Sequence, residues 1–174
     1  MVILGMWFDD KLSWNTHFDY IVQKAYSRIY AIRRMKSSLS KLQLIVIYNG
    51  YVRTLLEYGS EAFLGAPDYL TNKFKTIQRR VHNLICNWEC HCNILPKLYE
   101  RRLERAMNLY TMAAHNCDHT LHKLIPDRLN RTNKFRQPLS HTDRRLKSFF
   151  PLATNLINDV VNKSTTPPIF SSSV

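Results

Sequence analysis

The chain has 174 residues, of which 45% are hydrophobic and only four are glycine. This length predicts one compact domain whose core needs neither a disulfide nor a metal. So few glycines disfavour an all-β sandwich and a glycine-rich nucleotide-binding fold. No apolar run approaches the ~20 residues that a membrane helix needs, and no basic leader precedes the apolar start, so we expect neither a membrane protein nor a secreted one.

The net charge is +12, from 25 Lys and Arg against 13 Asp and Glu. So basic a domain is typical of proteins that bind a polyanion, more often nucleic acid than anionic lipid. The basic residues concentrate between residues 23 and 105 and again between 128 and 147, whereas the first 19 residues are mildly acidic. The alternative is a soluble protein with an ordinary, merely basic surface.

The N-terminal residues predict a strand and then a helix. The apolar run Val2–Phe8 is typical of a short buried strand. A helix is predicted from Asn15 or Thr16, either of which can cap it, to about Lys36. Its apolar residues recur every three or four positions, as in a stripe that faces a core. They are Phe18, Ile21, Val22, Ala25, Ile29 and Ile32.

Two further helices follow by the same periodicity. The second runs from a cap at Ser38 or Ser40 to residue 58, and Gly59 can end it. Its apolar residues are Leu44, Ile45, Tyr48, Val52, Leu55 and Leu56. The third spans residues 67–87, and its stripe is Leu70, Phe74, Ile77, Val81, Leu84 and Ile85.

A fourth helix begins at Pro96, and its pattern weakens after Cys117. Residues 126–147 are polar and basic and predict an extended loop, whereas residues 148–162 regain an apolar rhythm. The end of the chain is rich in Ser, Thr and Pro and predicts a disordered tail. The fold is therefore predicted to be mainly α, a helical bundle preceded by one short β-strand and followed by that tail.

Asp9 and Asp10 follow an aromatic residue, as paired aspartates do in polymerase sites that hold two magnesium ions. That chemistry also needs a carboxylate from a neighbouring strand, and no Asp or Glu stands in such a setting in the sequence. We therefore interpret the pair as a solvated turn and predict no catalytic residue.

Cysteines and histidines in the middle of the chain are compatible with a structural zinc site. Cys86 and Cys90 form one candidate pair of ligands, and His115, Cys117 and His119 contain another. No standard zinc spacing is met, however, and reduced buried thiols are the default without a secretion signal. A Cys–His nucleophile has no supporting spacing either. We therefore predict no metal site, and zinc belongs only to an alternative.

The candidate nucleic-acid ligands are basic residues on the predicted outer faces of the helices, since Lys and Arg neutralise phosphates and release counterions. They are Lys24, Arg28, Arg33, Arg34, Lys73, Arg79, Arg80, Arg101, Arg102 and Arg105, with Lys75 beside them. Aromatic side chains could stack on bases, although aromatics at helical spacing are more often core residues. They are Tyr26, Tyr30, Tyr51, Trp88 and Tyr99. No residue predicts base specificity.

Short motifs occur along the chain in a fixed order. Leu4–Asp9 reads L-G-x-x-F-D, and Leu12–His17 reads L-x-W-x-x-H before a K-A pair in the first helix. Leu56–Ser60 reads L-E-Y-G-S, and residues 78–80 read Q-R-R. Near the end, Arg145–Pro151 reads R-x-x-S-F-F-P and is followed by Asn155 or Asn158.

In this order and spacing the motifs resemble the region downstream of the catalytic palm in reverse transcriptases of non-LTR (LINE-type, jockey-like) retrotransposons. The resemblance implies a remnant palm strand and turn at residues 1–14 and a helical thumb at 15–117. It further implies a basic C-terminal extension at 118–162 and a disordered tail at 163–174. The thumb of that family grips the template–primer duplex, by shape and backbone rather than by sequence.

The resemblance also implies what this chain lacks. The catalytic motif, the fingers and the endonuclease domain are missing, so the fragment is expected to be inactive alone and to need no cofactor, Mg²⁺ serving only the full-length polymerase. The implied partners are RNA, an RNA–DNA hybrid and those missing domains, in the nucleus or the cytoplasm. The alternative function is an independent basic helical adaptor that binds RNA or a protein and contains structural zinc.

Overall fold

The computed structural model describes residues 1–86, 95–129, 131 and 134–165, and within them the chain is mainly α, as predicted. The chain forms two compact units, Met1–Arg102 and Leu103–Val174, where the length predicts one domain. The division falls within a helix, whereas the motifs predict a boundary after residue 117. Each unit has a hydrophobic cluster of its own.

The first unit contains a short hairpin and most of the helices. Its elements are β1 (Val2–Ile3), β2 (Met6–Trp7), α1 (Asn15–Met35), α2 (Lys41–Ile47), α3 (Thr54–Glu57), α4 (Asp68–Cys86) and the first turn of α5 (Leu98–His115). The second unit continues with the rest of α5, a 3₁₀ turn (His122–Leu124), α6 (Asp143–Leu146) and α7 (Phe149–Thr165). No helix of the described residues is long and apolar enough to cross a bilayer.

The N-terminal run forms a hairpin, so the prediction of one buried strand over Val2–Phe8 is wrong. β1 pairs with β2 in antiparallel register, Ile3 opposite Met6. The turn residues Leu4 and Gly5 have φ of 49° and 79°, and positive φ at both central residues is typical of tight hairpin turns. Ile3 remains 44% exposed. The sequence gives little indication of this turn, because Gly5 is the one non-apolar residue in the run.

Two hydrogen bonds hold the hairpin backbone in place, one donated by it and one accepted by it. The Trp7 amide donates to Nδ1 of His17 on α1 at 3.3 Å. The hydroxyl of Tyr58, after α3, donates to the Leu4 carbonyl at 2.8 Å. His17 and Tyr58 both belong to the motifs singled out above, so these motifs have a structural use in fixing the hairpin.

α1 has the predicted length but not the predicted cap. Trp14, with φ of 65°, occupies the N-cap position and makes no side-chain cap hydrogen bond, so neither Asn15 nor Thr16 caps the helix. The predicted stripe is confirmed. Its buried members are Phe18, Ile21, Ala25, Ile29 and Ile32, and Val22 is half-buried.

The second predicted helix is interrupted by a π-helical turn at Tyr48–Arg53, between α2 and α3. Of the two predicted caps, Ser40 makes the capping box, and Gly59 (φ 63°) follows α3 as predicted. The core residues recur at every fourth position, at 44, 48, 52 and 56, and all four are buried. In an α-helix, each step of four residues rotates the side chain by about 40° around the helix axis. The π turn has more residues per turn, which offsets this rotation and keeps all four side chains facing the core.

α4 confirms the third helix over Asp68–Cys86, and the predicted residue 87 lies outside the described residues. α1 packs against α4 through aromatic rings. Phe18 and Phe74 stack with centroids 4.5 Å apart, and Phe63 meets the Phe18 ring edge-on at 5.2 Å. These large, fully buried rings form the centre of the first unit.

The second unit has a small core around Tyr110, Phe135 and Ala153. The predicted loop over 126–147 contains an isolated bridge, Arg128 to Phe135, and the short α6. The Asn158 side chain accepts from the Phe135 amide and donates to its carbonyl, both at 2.9 Å. The apolar rhythm of residues 148–162 is α7. The tail after residue 165 lies outside the described residues.

His17 makes the stability of the first unit depend on pH. Its ring is 1% exposed, and this burial lowers the pKa of His17 below the ordinary 6.5. His17 therefore takes up its proton at a higher pH in the unfolded chain than in the folded chain. The free energy of unfolding is greatest above the ordinary pKa and falls as the pH drops below it. We expect the free energy of unfolding, measured in urea, to be lower at about pH 5 than at about pH 7.5. The loss should be about 1.4 kcal/mol for each unit by which the pKa of His17 differs between the folded and unfolded chain.

The matched variants are His17→Asn and His141→Asn. An Asn oxygen at position 17 can accept the Trp7 amide proton but does not titrate, so this part of the pH dependence should disappear. His141 is exposed, and its substitution should leave the dependence as it is. A His17→Asn protein with the same loss of stability at acidic pH would contradict the assignment.

Candidate nucleic-acid interface

A groove of about 360 Å³ lies between α1 and α4 on the first unit. It combines apolar, aromatic and basic side chains. Its lining residues are Tyr26, Ile29, Tyr30, Arg33, Lys36, Arg80 and Leu84.

The positions of these residues follow from helix geometry. Tyr26, Tyr30 and Arg33 are spaced four and three residues apart, so they share one face of α1 beside its apolar stripe. Arg80 and Leu84 are four residues apart on α4 and share a face in the same way. The packing of the two stripes against each other therefore brings these two flanking faces together as the walls of a groove.

Three basic side chains line the groove. Arg33, Lys36 and Arg80 contribute three cationic side chains, and no acidic residue is among the described residues that line it. The Arg80 guanidinium lies 5.0 Å from the centroid of the Tyr26 ring, an interaction that orients the arginine at the groove wall. Arg33 and Arg80 are both exposed, so their charges are available to an anion.

Tyr30 differs from the other aromatic residue of the groove. Tyr26 is half-buried and packs against the core, whereas Tyr30 is 61% exposed although it is one helical turn away. The remaining predicted stacking residues lie elsewhere. Tyr51 and Tyr99 are exposed outside the groove, and Trp88 lies outside the described residues.

Three of the predicted basic residues are engaged outside the groove. The Lys24 ammonium lies 4.4 Å from the Tyr20 ring centroid. The Arg28 guanidinium lies over the Tyr51 ring at 4.5 Å and donates to its carbonyl oxygen. The Lys73 ammonium donates to the Asp19 carboxylate at 2.5 Å, so the carboxylate offsets the charge of the lysine.

Further predicted cations are exposed and do not line the groove. Arg34 and Arg79 adjoin the groove residues Arg33 and Arg80 in sequence, but a one-residue step turns each side chain by about 100° around its helix. Lys75 is also exposed on α4. Arg105 is exposed on the second unit.

Arg101 and Arg102 belong to a polar cluster of the first unit, and the prediction that Arg102 lies on an outer face is wrong. Arg102 is 5% exposed and donates to the Leu56 carbonyl at 2.9 Å. Arg101 donates to the buried Glu57 carboxylate at 2.8 Å. The periodicity did not show this, because the partner Glu57 comes from a distant part of the sequence.

The aromatic rings of the core enclose the Arg102 guanidinium. It lies 4.9 Å from the Phe74 ring centroid and 5.5 Å from that of Phe63. Burial lowers the pKa of Arg102 to about 10, against the opposing attraction of Glu57, so the group stays protonated at neutral pH. Burial likewise raises the pKa of Tyr48 to about 12. Arg102 is therefore a structural cation whose guanidinium is closed to a phosphate.

The other candidate sites have a structural use or lie outside the described residues. The Asp9 carboxylate accepts from the Ser13 amide at 2.6 Å and from the Ser13 hydroxyl, in a turn before α1. No group of three metal-ligating side chains occurs within the described ranges. Cys86 is buried and Cys117 exposed, whereas Cys90 and the other cysteine and histidine of residues 90–92 lie outside those ranges.

The residues predicted to bind phosphate do not include Lys36, and the sequence does not locate the groove. Lys36 ends the predicted helix. A signal was present, because Tyr26, Tyr30 and Arg33 flank the apolar stripe on one side, but only the tertiary packing identifies the partner helix. Comparison of the chain with protein-family models, with curated proteins and with solved structures gives no match.

Replacing the buried arginine tests the division between structural and surface cations. We expect Arg102→Ala to lower the free energy of unfolding by about 3 kcal/mol, since it leaves the Leu56 carbonyl unpaired and opens a cavity beside two aromatic rings. The exposed Arg79→Ala should change it by less than about 0.5 kcal/mol. Urea denaturation measures both, and equal small effects would place the Arg102 guanidinium at the surface instead.

Proposed function

We propose that the chain is the thumb and C-terminal region of a LINE-type reverse transcriptase, which holds the RNA template–primer duplex without regard to sequence. The groove between α1 and α4 is the observation that carries the proposal. Its three cations lie beside two tyrosines, with no acidic side chain among the described lining residues. The mainly helical fold supports it too, since the resemblance implies a helical thumb.

The binding mode follows from the chemistry of the groove. Arg and Lys bind phosphate oxygens, which are the same at every base, so the contact fixes position and carries no sequence information. Arg33 belongs to α1 and Arg80 to α4. The two guanidinium groups can therefore contact the phosphates of one strand from opposite walls of the groove. The exposed Arg34, Lys75 and Arg79 add attraction at longer range without lining the site.

The chain is proposed to hold a substrate and not to transform one. Asp9, one of the paired aspartates beside an aromatic, accepts hydrogen bonds from Ser13 in a turn. We expect no nucleotide incorporation by this chain; Mg²⁺ would be held by the catalytic palm of the full-length polymerase. A template-gripping role would place the chain where its RNA is, in the nucleus or the cytoplasm.

Groove variants test the proposal directly. We expect the chain to bind an RNA–DNA hybrid with a log–log salt slope of about −2 to −3, for three phosphate contacts. Arg33→Gln combined with Arg80→Gln should weaken binding about tenfold and reduce that slope by about two, because each substitution removes one phosphate contact. Fluorescence anisotropy at several salt concentrations, with hybrids of two unrelated sequences, provides both values.

The matched control is Arg34→Gln combined with Arg79→Gln. It makes the same change in net charge on the neighbouring residues of the same helices, and we expect affinity within about threefold of the original. Equal losses in the two double variants would contradict the assignment to the groove. Failure to bind any hybrid at low salt, or incorporation of nucleotides, would contradict the function itself.

A second candidate function is a basic helical adaptor for RNA or a protein. Leu42 and Val46 favour it, because they are four residues apart on α2 and are 75% and 69% exposed. Neighbouring apolar side chains so exposed are typical of a surface that contacts another protein. Zinc bound to the purified chain, or unfolding on addition of a chelator, would favour this candidate over the first.

A further inference from the structure

Within the part of the chain that the structure describes, Tyr30 is not among the residues that pack in the core of the first unit. Its ring is 61% exposed and stands outside the core, although the tyrosine one turn earlier packs against it. It lines the same groove as Arg33 and Arg80. A large exposed ring beside guanidinium groups offers a flat surface that phosphate binding does not require.

We propose that the groove holds an unpaired nucleotide of the RNA strand, with its base stacked on Tyr30 and its flanking phosphates bound by Arg33, Lys36 and Arg80. This inference rests on the proposed function and makes it more specific. The thumb-like unit then discriminates between a blunt duplex and a duplex that continues as a single strand.

The size and lining of the groove fit one unpaired nucleotide beside the duplex that its cations hold. A volume of about 360 Å³ lies at the lower end of the range of small-molecule pockets, which enclose a ligand of nucleotide size. Ile29 and Leu84 supply apolar surface for the faces of a base or sugar. In a duplex the base faces are covered by their neighbours, so only an unpaired base can reach the tyrosine ring.

The chemistry of the groove also distinguishes a nucleotide from an acidic peptide. A run of carboxylates would satisfy the three cations but would leave the Tyr30 ring without a stacking partner. Stacking on an aromatic ring tolerates every base, since each base has a π face. It therefore agrees with a site that holds nucleic acid without regard to sequence.

The experiment compares three ligands with the full chain. They are a blunt RNA–DNA hybrid, the same hybrid with an RNA overhang of about four uridines, and the same overhang without bases. We expect the uridine overhang to bind about tenfold tighter than the blunt hybrid, and the abasic overhang to lose most of that gain. Anisotropy at one fixed salt concentration measures all three.

The variants locate the effect on one ring. Tyr30→Ala should abolish the preference for the uridine overhang while leaving the affinity for the blunt hybrid within about twofold. Tyr30→Phe should keep the preference, since it retains the ring. Tyr99→Ala, at a tyrosine that is 54% exposed outside the groove, should also keep it. A 5-bromouridine in the overhang should crosslink to Tyr30 or Tyr26.

Each contrary result has a distinct meaning. A preference that survives Tyr30→Ala, or an abasic overhang that binds as tightly as the uridine one, overturns the stacking inference and leaves duplex gripping intact. A chain that binds none of the three ligands overturns the proposed function as well. Poly-glutamate that binds as tightly as the overhang would make the groove an acidic-peptide site and overturn the nucleotide assignment.

Discussion

Phe18 of α1 and Phe74 of α4 stack with their ring centroids 4.5 Å apart, and the first unit depends on this contact. It holds the two longest helices of the unit side by side, with Phe63 against both rings. Because the apolar stripes of α1 and α4 face each other there, the residues that flank the stripes become the walls of the groove. The same packing places His17, the neighbour of Phe18, where its Nδ1 can accept a hydrogen bond from the Trp7 amide of the hairpin. The candidate site and the docking of the N-terminal hairpin thus have one physical origin.

The basic residues of the first unit divide into two groups by burial. Arg102 is buried, and the Leu56 carbonyl and aromatic faces replace the water that its guanidinium loses, while the half-buried Arg101 donates to the buried Glu57 carboxylate. Arg33 and Arg80 remain exposed, the second of them beside the Tyr26 ring. Net charge alone therefore overstates the surface available to a polyanion. The groove, where cations from two helices meet without an acidic side chain among the described lining residues, is a more specific indication than the value of +12.

The helices were predictable because apolar periodicity is a local signal, and the stripes of α1 and α4 match the buried residues nearly one for one. Two of the features that were not predicted depend on positive φ or on long-range contacts. The hairpin turn at Leu4 and Gly5 lies inside an apolar run with no polar residue to mark it, and the buried Arg102 donates to Leu56, 46 residues earlier in the chain. The four-residue spacing of the core residues indicates the π turn, since residues at that spacing gradually leave one face of a regular α-helix. For the site, the sequence identified most of the cations and both tyrosines but not which helix faces meet.

Chemical footprinting shows whether nucleic acid contacts the α1–α4 groove. Arginine- and lysine-specific reagents, applied with and without an RNA–DNA hybrid and followed by mass spectrometry, report which side chains the ligand covers. We expect the hybrid to protect Arg33, Lys36 and Arg80, while Lys123 and Arg136, exposed on the second unit, keep their reactivity. Protection that is spread evenly over the basic residues, or confined to the second unit, would contradict it.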